Sequence, residues 1–136
     1  MDFDPEQCLA LAKRAFYDYH HSNIDPIPCL DCARLASEFA AQHASSASVR
    51  LTALISWSRA YMFLADADTS FCVQHAQNSV ATAERAVAFF SETSPNDLVA
   101  KARVYDQLGC ALRQRYVYLA NEDDCRQSIE AHRTSL

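Results

Sequence analysis

Two short pairs of residues with metal-binding side chains stand out in this chain, Cys29-x-x-Cys32 and Cys72-x-x-His75. Thiolate sulfur and imidazole nitrogen are good ligands for zinc, and a spacing of three residues places both members of a pair on one side of a helix. If the two helices that carry these pairs were neighbours, the four side chains could form a tetrahedral site. A zinc- or thiol-dependent helical protein is therefore one alternative for function.

The surroundings of these pairs favour packing over metal binding. Cys-x-x-Cys ligands of zinc usually lie in a tight turn, whereas Pro28 is expected to begin a helix at this point. Disulfide-stabilised domains are rich in loops and carry an export signal, and the sequence shows neither. We therefore expect the six cysteines to be reduced and mostly buried as small apolar side chains, and we predict no metal ligands.

Gly109 is the only glycine among the 136 residues. Phosphate-binding loops, dinucleotide-binding motifs and nucleophile elbows all require glycines where the backbone turns sharply or approaches a ligand closely. No Ser, His and Asp set and no Cys and His pair can be identified as catalytic either. The sequence predicts a protein that is not an enzyme, with no catalytic residues and no cofactor.

The charge pattern limits the class of partner. The net charge is −5, and the 12 basic residues are scattered along the chain, which argues against a surface for nucleic acid. The N-terminal segment resembles no export signal, and no stretch approaches the roughly 18 apolar residues that a membrane span needs. We expect a cytoplasmic protein with neither a nucleic-acid nor a membrane partner.

Apolar residues recur with a helical period along nearly the whole chain, which predicts an all-α fold. Prolines and capping residues divide the pattern into about six helices. The fifth helix is expected to begin at Pro95, with Ser94 as its N-cap. The expected helices span about 5–20, 28–44, 48–64, 70–90 and 95–119, and a sixth follows the capping segment Asn121–Asp124.

Taken in pairs, the helices form three antiparallel hairpins of similar length, at about residues 5–44, 46–91 and 95–136. They belong to a single domain that covers residues 1–136. Recurring helical hairpins of this length predict either a short superhelix of stacked pairs or an up-down helical bundle.

The third hairpin carries a distinctive order of large and small residues. Its first helix contains Tyr105, Leu108, Gly109 and Leu112, and its second contains Ser128, His132 and Ser135. This order resembles the tetratricopeptide repeat (TPR). His132 stands where that family prefers Tyr or Phe, the two serines stand where it prefers Ala, and the hairpin is longer than the standard repeat of about 34 residues.

The longer form is similar to the repeats of about 40 residues in fungal arrays that adjoin CHAT domains. The similarity covers about Leu98–Leu136 and is carried by Leu108-Gly-Cys-Ala-Leu-Arg-Gln-Arg-Tyr116 and Ile129-Glu-Ala-His-Arg133. It implies a TPR-like short superhelix whose concave groove binds a peptide or a partner domain. The resemblance thus predicts a scaffold for protein interactions.

A second interaction surface is expected at the C-terminal hairpin. Because no further helix follows to cover them, apolar residues here should be exposed, namely Tyr116, Leu119, Ile129 and Leu136 together with Cys125 and Leu112. Exposed apolar patches usually mark contact sites, so we also predict self-association through the C-terminal helix or docking onto a partner. The remaining alternative is an oligomerising structural segment of a larger assembly.

Overall fold

A computed structural model describes residues 4–23 and 25–136 of the chain. Six α-helices contain most of these residues, and no strand occurs among them, which confirms the prediction of an all-α fold. A short 3₁₀ turn, Thr69–Phe71, precedes the fourth helix. The helices are α1 (Pro5–His21), α2 (Pro26–His43), α3 (Ala47–Ala67), α4 (Cys72–Thr93), α5 (Leu98–Leu119) and α6 (Glu122–Ser135).

Aspartate caps followed by proline begin the first two helices. Asp4 and Asp25 each accept a hydrogen bond from a backbone N–H of the first helical turn. Proline at the first helical position costs no hydrogen bond, because that N–H has no partner within the helix. Pro26, rather than Pro28, occupies this position in α2, so α2 begins two residues earlier than predicted.

The prediction that α5 begins at Pro95 is wrong. Asp97 is the N-cap, and its Oδ1 accepts from the N–H groups of Val99 and Ala100, both at 3.1 Å. Ser94 instead follows the last turn of α4, and Pro95 lies in the connecting turn. A carboxylate that satisfies two backbone N–H groups is a stronger cap than a hydroxyl, so the helix begins three residues later than predicted.

The helices form an open array. Each packs against the next one in the chain, and α3 also contacts α1 and α5. Within the described residues, no Cα atom of α1 or α2 lies within 8 Å of a Cα atom of α5 or α6. A closed up-down bundle would bring its first and last helices together. The odd-numbered helices therefore lie side by side in one layer of a linear array.

Small residues allow the helices to approach one another closely. Ser58 of α3 and Ser79 of α4 are fully buried, and each hydroxyl donates to the other's backbone carbonyl, at 2.8 and 3.0 Å. Gln107 of α5 donates to the Ser58 hydroxyl at 3.1 Å, which links three helices through one buried polar group. On α1 and α2, most of the buried positions are alanines: Ala12, Ala15, Ala33, Ala36, Ala40 and Ala41.

Candidate functional site

The layer formed by α1, α3 and α5 contains a groove of about 310 Å³. Its position is set by α3, which contacts both of the other two helices. Apolar and cationic side chains line it together: Leu9, Lys13 and Phe16 of α1, Ile55 and Arg59 of α3, and Arg103 of α5. The groove therefore combines an apolar surface with a positive charge.

The three cations of the groove are free to bind an anion. Lys13, Arg59 and Arg103 are all exposed, and none forms an ion pair with a carboxylate in the part of the chain that the structure describes. Arg103 donates a hydrogen bond to the Thr52 hydroxyl at 3.3 Å, which directs the guanidinium across from α5 to α3. On a chain with a net charge of −5, this groove is a local concentration of the opposite charge.

The junction of α5 and α6 is built around Gly109. The ring of His132 lies directly over this glycine, and a Cβ atom placed there would come within 2.7 Å of the ring. The Ser128 hydroxyl donates to the Gly109 carbonyl at 2.8 Å. The glycine thus provides space for the imidazole rather than an unusual backbone conformation.

Three potential metal ligands meet beside this glycine. Asp106 and Cys110 lie one helical turn apart on α5, and one donor atom of each lies within 4.8 Å of the other and of a ring nitrogen of His132. Asp106 Oδ1 is 3.3 Å from His132 Nδ1. No other such group of three or more His, Cys, Asp or Glu side chains occurs in residues 4–23 and 25–136.

The Cys110 thiol is not activated as a nucleophile. Burial raises its pKa, and the negative charge of Asp106 raises it further. The positive charges of Arg113 and Arg59 lower the pKa by less, so it stays above its ordinary value. A thiol with a raised pKa is protonated at neutral pH, and the reactive form is the thiolate. A metal ion that bound here would have to displace the thiol proton, because the thiolate is also the form that binds metal.

The structure does not bring Cys29, Cys32, Cys72 and His75 together. Cys29 and Cys32 lie on α2, whereas the other two lie on α4, and no Cα atoms of these two helices are within 8 Å of each other. The odd-numbered helices are neighbours, but α2 and α4 are not, because α3 packs against both of them. His75 instead contacts Asp68, with Nε2 3.2 Å from Oδ2.

The residues predicted to pack the third hairpin lie at two helix contacts. Ser128 and His132 contact Gly109, and the Ser135 hydroxyl donates to the His132 carbonyl at 2.6 Å. The remaining three face α4: the ring of Tyr105 meets that of Phe90 edge to face at 6.4 Å, and Leu108 and Leu112 pack with Val80 and Ala83.

Several of the predicted C-terminal surface residues are exposed. Ile129 is 50% exposed, Leu136 is fully exposed, and Tyr116 and Leu119 are exposed to a lesser degree. Leu112 was expected on the same surface, but it is buried against α4. The apolar surface is therefore narrower than the sequence pattern indicates.

Sequence reasoning missed a buried ion pair at the same end of the array. Arg115 donates from Nη2 and Nε to the two carboxylate oxygens of Asp124, at 2.7 and 2.9 Å. Asp124 is only 1% exposed, although the sequence assigned it to the capping segment of α6. The hydrogen bond to this carboxylate raises the pKa of Arg115. The capping role belongs to Asn121, which accepts from the Asp123 N–H at 3.0 Å.

Across the described residues, none of the helices combines the length and apolarity that crossing a bilayer requires. No protein-family model, curated protein or solved structure matches the chain, so its function has to be inferred from its own geometry.

Proposed function

We propose that this protein is an interaction scaffold of the TPR-like type that binds an acidic peptide segment in the groove between α1, α3 and α5. The observation that carries the proposal is the groove itself, in which the free cations Lys13, Arg59 and Arg103 flank apolar side chains. The open array supports it, because stacked helical hairpins place their first helices side by side on one extended surface.

The chemistry of the groove selects for acidic residues next to apolar ones in the peptide. The partly buried Leu9 and Phe16 offer apolar surface to a side chain of the peptide, and burying that side chain supplies most of the affinity. The exposed cations contribute less to affinity, since exposed ion pairs are worth about 0–1 kcal/mol each. They mainly set the association rate, the orientation and the choice of partner. Binding should therefore weaken as salt is added.

A peptide array tests this proposal. It would present acidic, neutral and basic peptides with the same apolar content to the labelled protein, and the strongest binders would be measured by fluorescence anisotropy. We expect the acidic set to bind best, and the double variant Arg59→Glu with Arg103→Glu to reduce affinity by about tenfold or more, as expected when two attractive contacts become repulsive.

The matched control reverses the same number of charges on α6, as Arg126→Glu with Arg133→Glu. Both arginines are exposed and lie outside the groove. Equal losses of affinity in the two double variants would show that binding depends only on overall charge. Equal binding of acidic and basic peptides would also contradict the proposed groove.

A second candidate function is self-association through the C-terminal surface. It is favoured by the exposure of Tyr116, Leu119, Ile129 and Leu136 on α5, α6 and the residue that follows. Light scattering should then show a dimer or larger species that Ile129→Glu converts to monomer. A monomeric wild type, with Ile129→Glu leaving the melting temperature and the solubility unchanged, would argue against this surface.

We also propose a cytoplasmic location. All six cysteines are free in the structure, and free thiols are typical of reducing compartments. Titration of the denatured chain without reductant should therefore find six thiols, and a lower count would contradict this location.

A further inference from the structure

We propose that Asp106, Cys110 and His132 form a zinc-binding site at the junction of α5 and α6. The site is separate from the alternative set of three cysteines and one histidine considered from the sequence, and it does not depend on peptide binding in the groove. Its carboxylate, thiolate and imidazole are three of the common ligand types of zinc.

The helix register brings these ligands together. Asp106 and Cys110 are separated by four residues on α5, so they lie on the same face one turn apart. His132 reaches them from α6 because Gly109, between the two, has no side chain to block the ring. The closeness of the ring to the α5 backbone at this point fixes the imidazole before any ion binds.

One distance already matches a zinc site. Zinc bonds to nitrogen and oxygen are about 2.0–2.1 Å long, so tetrahedral geometry places two such ligand atoms about 3.3–3.4 Å apart. The distance between Asp106 Oδ1 and His132 Nδ1 is 3.3 Å. The Cys110 sulfur lies within 4.8 Å of a carboxylate oxygen of Asp106 and of a ring nitrogen of His132, whereas a zinc–sulfur bond of about 2.3 Å requires about 3.6 Å between the sulfur and each such atom. Closing this gap takes a movement of up to about 1.2 Å, which a side-chain rotation supplies.

The choice of metal follows from the ligands. The mixture of thiolate and imidazole disfavours magnesium and calcium, which prefer oxygen ligands, and favours zinc. The two anionic ligands balance the charge of a divalent ion. Because the Asp106 side chain is 64% exposed, a fourth position remains open to water or to a group of a bound partner.

Metal titration of the chelator-treated, reduced protein tests the site. We expect one zinc ion per chain by calorimetry, and a thiolate-to-cobalt charge-transfer band when cobalt is used as the probe. Cys110→Ser should abolish that band. Asp106→Asn should weaken zinc binding by at least about tenfold, since even outer-shell substitutions at zinc sites cost tenfold or more. Asp106 is exposed, so this variant should keep the helical spectrum of the wild type.

Matched thiol variants complete the test. Cys72→Ser, and Cys29→Ser with Cys32→Ser, remove half-buried cysteines outside the cluster and should leave the cobalt band and the zinc affinity unchanged. Zinc binding that survives Cys110→Ser, or that is lost in the other cysteine variants, would overturn the proposal. So would a wild type that binds no zinc.

Discussion

Breaking the ion pair between Arg115 and Asp124 should reveal how strongly it holds α5 against α6. The two side chains make a bidentate contact at 2.7 and 2.9 Å across the tight connection between the helices. Replacing Arg115 with Met removes both donors while keeping much of the side-chain volume. Replacing Asp124 with Asn removes the charge and keeps the shape.

The two substitutions should differ in cost because the partners differ in exposure. Asp124 is 1% exposed, whereas the Arg115 side chain is 26% exposed. Arg115→Met leaves a buried carboxylate without its partner, which should cost about 3–5 kcal/mol of the free energy of unfolding. Asp124→Asn leaves a guanidinium that can turn toward water, and the lost charge-assisted hydrogen bonding should cost about 1.5–3 kcal/mol.

Urea unfolding followed by far-ultraviolet circular dichroism measures both free energies. The double variant Arg115→Met with Asp124→Leu should be more stable than Arg115→Met alone, because no buried charge then remains. The control is Arg14→Met, which removes an exposed pair with Asp18 and should cost less than about 0.5 kcal/mol. If Arg115→Met costs no more than this control, Asp124 is hydrated and the reasoning is wrong.

Three further predictions concern stability and pH. Gly109→Ala should lower the free energy of unfolding by about 1–3 kcal/mol, because its Cβ would lie 2.7 Å from the His132 ring. In a His132→Ala background the same change should instead raise that free energy by up to about 1 kcal/mol. An equal loss in both backgrounds would exclude the ring as the cause. Ala120 has a φ of 55°, so Ala120→Gly should raise the free energy of unfolding, measured in urea, by about 1 kcal/mol. An unchanged free energy would show that this turn is not strained. The hydrogen bond to Asp66 raises the pKa of Tyr118 to about 12, so the stability it adds is complete below the unfolded pKa of about 10 and is lost as the pH rises toward 12. The difference between the ultraviolet titrations of the wild type and Tyr118→Phe should show this late ionisation, and an unchanged difference in an Asp66→Ala background, which removes the acceptor, would refute the cause.

The sequence alone determined the helices, because the signals for a helix are local. The apolar period and the caps lie within a few residues of the segments they define, so six helices could be predicted with errors of a few residues at their ends. The largest error at a helix start was at α5, where Ser94 and Asp97 are both good caps. Only the competition between them in three dimensions decides which one is used.

Gly109 shows how far a local signal reaches. It lies within a helical pattern rather than in a turn, and in the third hairpin of the structure α6 packs closely against it. The group that contacts Gly109 is the ring of His132, and which α6 residue lies there depends on how α6 packs along α5. The two-residue connection and the pair of Arg115 with Asp124 both constrain how α6 packs on α5, and their combined effect cannot be read from spacing.

The candidate sites were decided by tertiary structure alone. Arg59 and Arg103 are 44 residues apart in the chain, and they share a groove only because α3 and α5 lie side by side. The alternative zinc site of Cys29, Cys32, Cys72 and His75 would have required α2 and α4 to be neighbours, and α3 prevents this. A side chain's chemistry is fixed by the sequence, but the packing of whole helices determines which side chains meet.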